Sequence, residues 1–366
     1  MGIYEELGIR PVINASATLT KLGGSRMPRE VLEAMNAAAG AFVDLPLLQT
    51  RVGDRIAELT RNDAAFVSSG AAGGIVLAVA TLMAAPDEPD PMAYPMLRGI
   101  AKNEAIVFAS QRNGYDFAIL QTGASIVECG DSLESFEAAI GERTACLVWF
   151  AGALAEKSPP LEGVIAIARK HGVPVLVDAA AQIPPVSNLW HYTKVLGCEG
   201  VVFSGGKGIR GPQSAGLVLG TRELIAGCRR LSSPTQGIGR PLKVGKEELA
   251  GMLAAVQYTL AQDEEAMLDG YEAIVRNWID GLSGIAGVTA ERGFPSEAGQ
   301  PHARAIVRFD AGCAKTRDQV IAELRTGDVW IEVAALGDDA IALNPQTVTA
   351  EEVDIVAARL RQVLTS

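Results

Sequence analysis

The segment Val201-Val-Phe-Ser-Gly-Gly-Lys207-Gly-Ile-Arg-Gly-Pro-Gln213 starts as an apolar strand and ends in a glycine-rich turn that carries one lysine. Val175-Leu-Val-Asp178-Ala-Ala-Ala-Gln182 is built the same way, with one aspartate at the strand's C-terminal end. Strands that are apolar throughout are covered on both faces, as in a parallel sheet. The carboxyl ends of such strands form the ligand crevice. The two segments therefore predict an α/β fold with Lys207 and Asp178 at its crevice.

The rest of the chain alternates in the same way. Stretches 64–67, 105–108, 144–150, 173–177, 200–203 and 216–219 read as strands, and 119–121 and 125–128 as short extended pieces. Helical spacing of apolar residues marks 29–41, 48–60 and 161–171. Residues 247–280 read as one long helical region. After it, 305–309, 329–333 and 340–343 read as strands and 350–364 as a closing helix, which makes a small α/β domain. The organisation expected is an N-terminal arm over 1–40, a large domain over 41–246, and a connecting helix with a small C-terminal domain over 247–366.

Composition narrows the function classes. The chain has 366 residues, 48% of them apolar, and a formal charge of −11. A nucleic-acid partner demands a basic surface, so none is expected. The apolar run 73–85 is shorter than the ~20 residues of a membrane span and reads as a buried helix. Met-Gly-Ile-Tyr-Glu-Glu is not the start of a signal peptide. The five scattered cysteines, with no Cys-x-x-Cys, fit reduced cytoplasmic thiols and argue against a disulfide frame or a metal site.

Gly205, Gly206, Gly208 and Gly211 let the backbone of the lysine turn approach a ligand. A lysine in a desolvated pocket has a lowered pKa and can form a Schiff base with an aldehyde. The plain alternative is a surface turn with a solvated lysine. A P-loop is excluded, because Gly208 and Val201 stand where that motif needs Ser or Thr and Gly. Ser204 is well placed for a phosphate oxygen. Asp178 can face a protonated ring nitrogen, Ala180 can underlie the ring, and Gln182 can reach a ring substituent; Asp178 reads equally as a helix N-cap. Ser68-Ser69-Gly70-Ala71-Ala72-Gly73-Gly74 runs from strand into helix, where free N–H groups and the helix dipole favour an anion. Its alternative is ordinary capping by Ser69. One cofactor, pyridoxal 5′-phosphate, accounts for cup, aspartate and lysine together.

The chain resembles fold-type I pyridoxal-phosphate enzymes of the selenocysteine synthase and D-glucosaminate-6-phosphate ammonia-lyase group. The segments that carry the likeness are Pro11-Val-Ile-Asn14-Ala-Ser, Val177-Asp178-Ala-Ala-Ala-Gln182, Ser204 to Gln213, and Gly239-Arg240-Pro-Leu-Lys243-Val-Gly-Lys246. The resemblance implies a large domain with a mainly parallel seven-stranded sheet, a small C-terminal α/β domain, and a homodimer with active sites at the interface. It implies that Lys207 bonds to the cofactor, that Asp178 faces the ring nitrogen, and that Ser69, Gly70, Ala71 and Ser204 contact phosphate. It also implies anion binding near Arg26, Arg240 and Lys243, for which helix-flanking surface charge is the alternative at the last two. The selenium transferases add an N-terminal tRNA-binding domain that is not expected here. Many members stack a His on the ring. Residues 110–116 contain none, which leaves Gln111, Arg112 or Tyr115. His171, His191 and His302 read as incidental.

The expected activity is a lyase that removes the α-proton of an amino acid or amino sugar acid and eliminates across Cα–Cβ. A racemase, epimerase or aldolase is the alternative on the same carbanion, with a tRNA-dependent selenium transferase behind it. Arg112, Arg210, Arg304 and Arg308 are candidates for the substrate carboxylate, and Arg26 or Arg240 for a second anion such as a phosphate.

Overall fold

The structure is a computed structural model that describes residues 2–84 and 90–366, so the last residue of the apolar run 73–85 lies outside it. The chain divides into two compact units, one of Met27–Ala261 and one of Met1–Arg26 with Gln262–Ser366.

The larger unit is built on a seven-stranded sheet. Its order is Ala64–Ser69, Ala215–Gly220, Gly200–Ser204, Val175–Asp178, Thr144–Phe150, Glu104–Phe108, Ser125–Cys129. Ala215–Gly220 runs antiparallel to both of its neighbours, and the other pairings are parallel. This is the mainly parallel α/β sheet read from the strands, with the seven strands that the resemblance implied.

Both faces of the sheet are buried, which is why its strands read as unbroken apolar runs. Phe66, Val148, Phe150, Leu176, Val202 and Val218 face one core, shared with helix Gly70–Met83. Val67, Trp149, Val177, Val201, Phe203 and Leu217 face the other, shared with Met252 and Val256 of helix Lys246–Ala261. Alternate residues point to opposite faces, so Asp178 and Ser204 lie on the face that helix Gly70–Met83 covers.

Two expectations fail here. Residues 119–121 are not extended. Asp116–Leu120 is a short helix that buries Ala118 and Ile119, entered through a turn in which the Asn113 side chain accepts from Tyr115 N–H at 2.7 Å. The region 247–280 is two helices, Lys246–Ala261 and Glu264–Gly281. The second has its own N-cap, with the Asp263 side chain accepting from Ala266 N–H at 3.0 Å. A capped start satisfies helix N–H groups that a continuous helix would not leave open.

The smaller unit holds a four-stranded antiparallel sheet in the order Ala334–Leu336, Ala340–Leu343, Arg304–Phe309, Val288–Gly293. Val12–Asn14 pairs in parallel with Trp330–Glu332. Trp278, Val307, Ile341, Val356 and Leu360 lie in its core.

Candidate active site

The crevice in the larger unit is set by strand register. Asp178 ends its strand, level with Phe150 on one side and Val202 on the other. The next residues keep to the neighbouring strand: Ala179 N–H donates to Val202 O at 2.9 Å, and Ser204 N–H to Ala180 O at 3.2 Å. Ala180 and Ser204 are thereby fixed side by side. No helix begins at Asp178, so it is not an N-cap. Its Oδ1 accepts from Ala180 N–H at 2.9 Å, and its other oxygen has no donor among the described residues.

Lys207 follows in the tight turn, closed by Arg210 N–H donating to Lys207 O at 2.9 Å. A Cβ on Gly208 would come within 1.9 Å of Ile183 O, so the turn lies directly on the backbone that follows Gln182. Gln182 itself is buried.

Burial pushes the Lys207 amine below its usual pKa, and the nearby Asp178 carboxylate opposes that shift. Burial pushes the Asp178 carboxyl up, against the Ala180 N–H and the charge of Lys207. The two side chains thus share one electrostatic environment. It favours an uncharged, nucleophilic amine. It also penalises a bare carboxylate, and a cation at the open oxygen would offset that penalty.

The cup lies on the same face. Gly70, the first residue of helix Gly70–Met83, has a φ of +64°. Ser69 makes no side-chain capping bond, so the capping alternative does not hold. The Ser69 and Ser204 hydroxyls have no partner among the described residues. Gly216 stands between Ser68 and Ser204 in adjacent registers. A Cβ on Gly216 would be 2.3 Å from Gly70 C and 2.7 Å from Ala71 N, so the helix start rests on that strand. Ser204 is one strand away from it. Free N–H groups, two open hydroxyls and a helix N-terminus form a donor set that fits a phosphate. With the amine and the acid, the arrangement fits pyridoxal 5′-phosphate.

The profile of the aminotransferase class-V family matches residues 51–242. The chain belongs to that family. Its cofactor is accordingly pyridoxal 5′-phosphate. D-glucosaminate-6-phosphate ammonia lyase of Salmonella typhimurium is 30% identical, over 99% of this chain and 97% of the relative. A 5′-C-glycyluridine monooxygenase-decarboxylase from a Streptomyces species is 31% identical, over 99% and 92%. A solved D-glucosaminate-6-phosphate ammonia-lyase structure superposes with a TM-score of 0.84 at 29% identity, covering 100% of this chain and 98% of that one.

The basic candidates fare differently. Arg112 is held by Asp116 at 2.5 Å and Glu128 at 2.7 Å. Arg308 pairs with Glu291 at 3.0 Å, and Arg26 with Glu352 at 2.5 Å. Each would have to leave a carboxylate to bind a substrate. Arg210 packs on Tyr258, donating to its hydroxyl at 3.2 Å. In the smaller unit, Arg304 lies 3.8 Å from Glu297, and its buried Nε has no hydrogen-bond partner among the described residues. Arg240 and Lys243 make no side-chain pairing among the described residues, and Leu242 between them packs near Gly73 of the cup helix. Tyr115 is exposed, whereas Gln111 is fully buried.

Sequence reasoning missed Gly216. The signal was present, since an isolated glycine in an apolar strand marks close approach of another backbone.

Proposed function

We propose that the chain is a pyridoxal-phosphate-dependent lyase acting on an amino acid or amino sugar acid, by α-proton abstraction and α,β-elimination. The observation that carries this is the pairing of a half-buried Lys207 with a buried Asp178 on the sheet face that also bears the cup. The full-length likeness to an ammonia lyase supports the choice of reaction.

In this reading Ser69, Gly70, Ala71 and Ser204 hold the phosphate, Ala180 underlies the ring, and Gln182 reaches a ring substituent. Bound pyridoxal phosphate supplies an electron sink for charge that develops at the substrate α-carbon. Lys207 Nζ, its pKa lowered by burial, accepts the α-proton. Asp178 holds a proton at the ring nitrogen through its open oxygen. Arg240 and Lys243 draw an anionic group of the substrate towards the cup. For a β-hydroxy substrate, the α-proton and β-hydroxide leave as water. One water then hydrolyses the product, giving a 2-keto acid and ammonia.

We further assign the protein to the cytoplasm, supported by four buried free thiols, and to a homodimer, supported by exposed Phe42, Val43 and Leu47. Light scattering that gives a single-chain mass would refute the dimer.

The deciding experiment incubates purified holoenzyme with amino acids and amino sugar acids, with and without a phosphate group. Keto acid and ammonia in equal amounts are expected. Loss of optical activity without ammonia release would instead establish a racemase or epimerase. Carbon dioxide release with oxygen consumption would establish the chemistry in the name of the Streptomyces relative.

A further inference from the structure

Gln111 has no exposed surface, so it cannot lie against a ligand in the crevice. Both ends of its amide are used. Oε1 accepts from Phe150 N–H at 2.9 Å, and Nε2 donates to Ser158 Oγ at 3.0 Å. Ser158 Oγ lies 2.9 Å from Ser110 Oγ, which donates to Asp131 Oδ1 at 2.7 Å. Ser110 N–H donates to the same oxygen at 3.1 Å.

The direction of this chain is set from one end. An ionised carboxylate only accepts, so the Ser110 proton goes to Asp131. The Ser158 proton then goes to Ser110, and the Ser158 oxygen is left to accept from an N–H. The amide nitrogen of Gln111 must therefore face Ser158, and its oxygen must face Phe150. Phe150 is the residue level with Asp178, and Ala151 N–H donates to Asp178 O at 2.9 Å. The Gln111 amide thus fixes the strand end against which Asp178 is registered.

We infer that Gln111, oriented by Asp131, Ser110 and Ser158, is a positioning residue for Asp178 and is not the group that stacks on the cofactor ring. This rests on the reading of Asp178 as the partner of the ring nitrogen. Gln111→Leu keeps the volume and removes both hydrogen bonds. Gln111→Glu keeps the acceptor for Phe150 N–H. Pyridoxal phosphate binding by apoenzyme should weaken about tenfold in the leucine variant, the size of one buried hydrogen bond. It should stay within about threefold in the glutamate variant, where only the secondary partner is exchanged.

A readout that needs no cofactor separates the two ideas. In apoenzyme labelled at aspartate carboxyls, with the Asp178 resonance assigned through Asp178→Asn, Gln111→Leu should move the Asp178 titration midpoint by about one pH unit, tenfold in proton affinity. An unmoved midpoint overturns the positioning role. So does an equal loss of binding in both variants accompanied by an equal fall in melting temperature, which would mean packing alone. If wild-type protein binds no pyridoxal phosphate, the cofactor reading fails, and the midpoint still decides the role of Gln111.

Discussion

Asp178 and Glu332 are both buried carboxylates, and they titrate in opposite directions. Burial raises Asp178, because one backbone N–H and the nearby charge of Lys207 do not compensate for lost water. Burial also pushes Glu332 up, but Arg325, Lys21 and Trp330 together outweigh it and its pKa falls. Arg325 donates twice, at 2.9 and 2.8 Å, and Lys21 at 2.8 Å. A carboxylate whose lone pairs are filled by its own chain ties strand and arm together. One left with an open oxygen in a crevice keeps its unmet demand for a ligand.

The largest effect should come from the amine that faces Asp178. Lys207→Ala should lower turnover by roughly 10²–10⁴-fold and abolish the visible absorbance of bound cofactor. A spectrum unchanged by that substitution would break the contrast, since Lys207 would then be merely a half-buried lysine.

Exchanging each acid for its amide sharpens it further. Asp178→Asn should cost about 10²–10³-fold in turnover, as loss of a preorganised charge does. Its apoprotein should be no less stable than wild type at neutral pH. The folded pKa of Asp178 lies above the unfolded value of 3.8, so wild-type stability is lost as pH rises through the folded value, and any gap in favour of the variant opens in that direction. Glu332→Gln should leave turnover intact and cost about 1–3 kcal/mol at neutral pH. Here the folded pKa lies below 4.5. The stabilisation is present above the unfolded value and lost as pH falls through the folded one, so the gap closes on acidification. Denaturant melts across pH 3 to 8 would show both slopes, and slopes of the same sign would refute the distinction.

Gly216→Ala should weaken cofactor binding and destabilise the fold by about 1–3 kcal/mol, because the added methyl meets backbone. The smallest effect is expected at the surface. Arg240→Gln should raise KM for a phosphorylated substrate by about tenfold, the value of one charge-assisted hydrogen bond, and leave kcat unchanged. An equal KM for phosphorylated and unphosphorylated substrates would remove Arg240 from the site.

What could be read in advance follows from how each residue is constrained. The strands ending in Asp178 and Ser204 were legible, because a sheet buried on both faces leaves an apolar run bounded by the residue that turns into the crevice. Val288–Gly293 was not, since Val-Thr-Ala-Glu-Arg-Gly is half exposed and has almost no apolar contrast. Residues 119–121 misled because an apolar run as short as Ile119-Leu120 suits either a strand or a short helix. The break at Asp263 was marked by Asp-Glu-Glu, a helix start overridden by the apolar periodicity on either side. The placing of Arg26 against Glu352 was invisible, because a partner 326 residues distant leaves no local signal, whereas Asp116, four residues after Arg112, was a local signal that went unread.

Gly216 brings the start of helix Gly70–Met83 so close to its strand that only a hydrogen atom separates them. The distance from the cup to Ser204, the last strand residue before the lysine turn, is therefore ruled off by the spacing of adjacent strands.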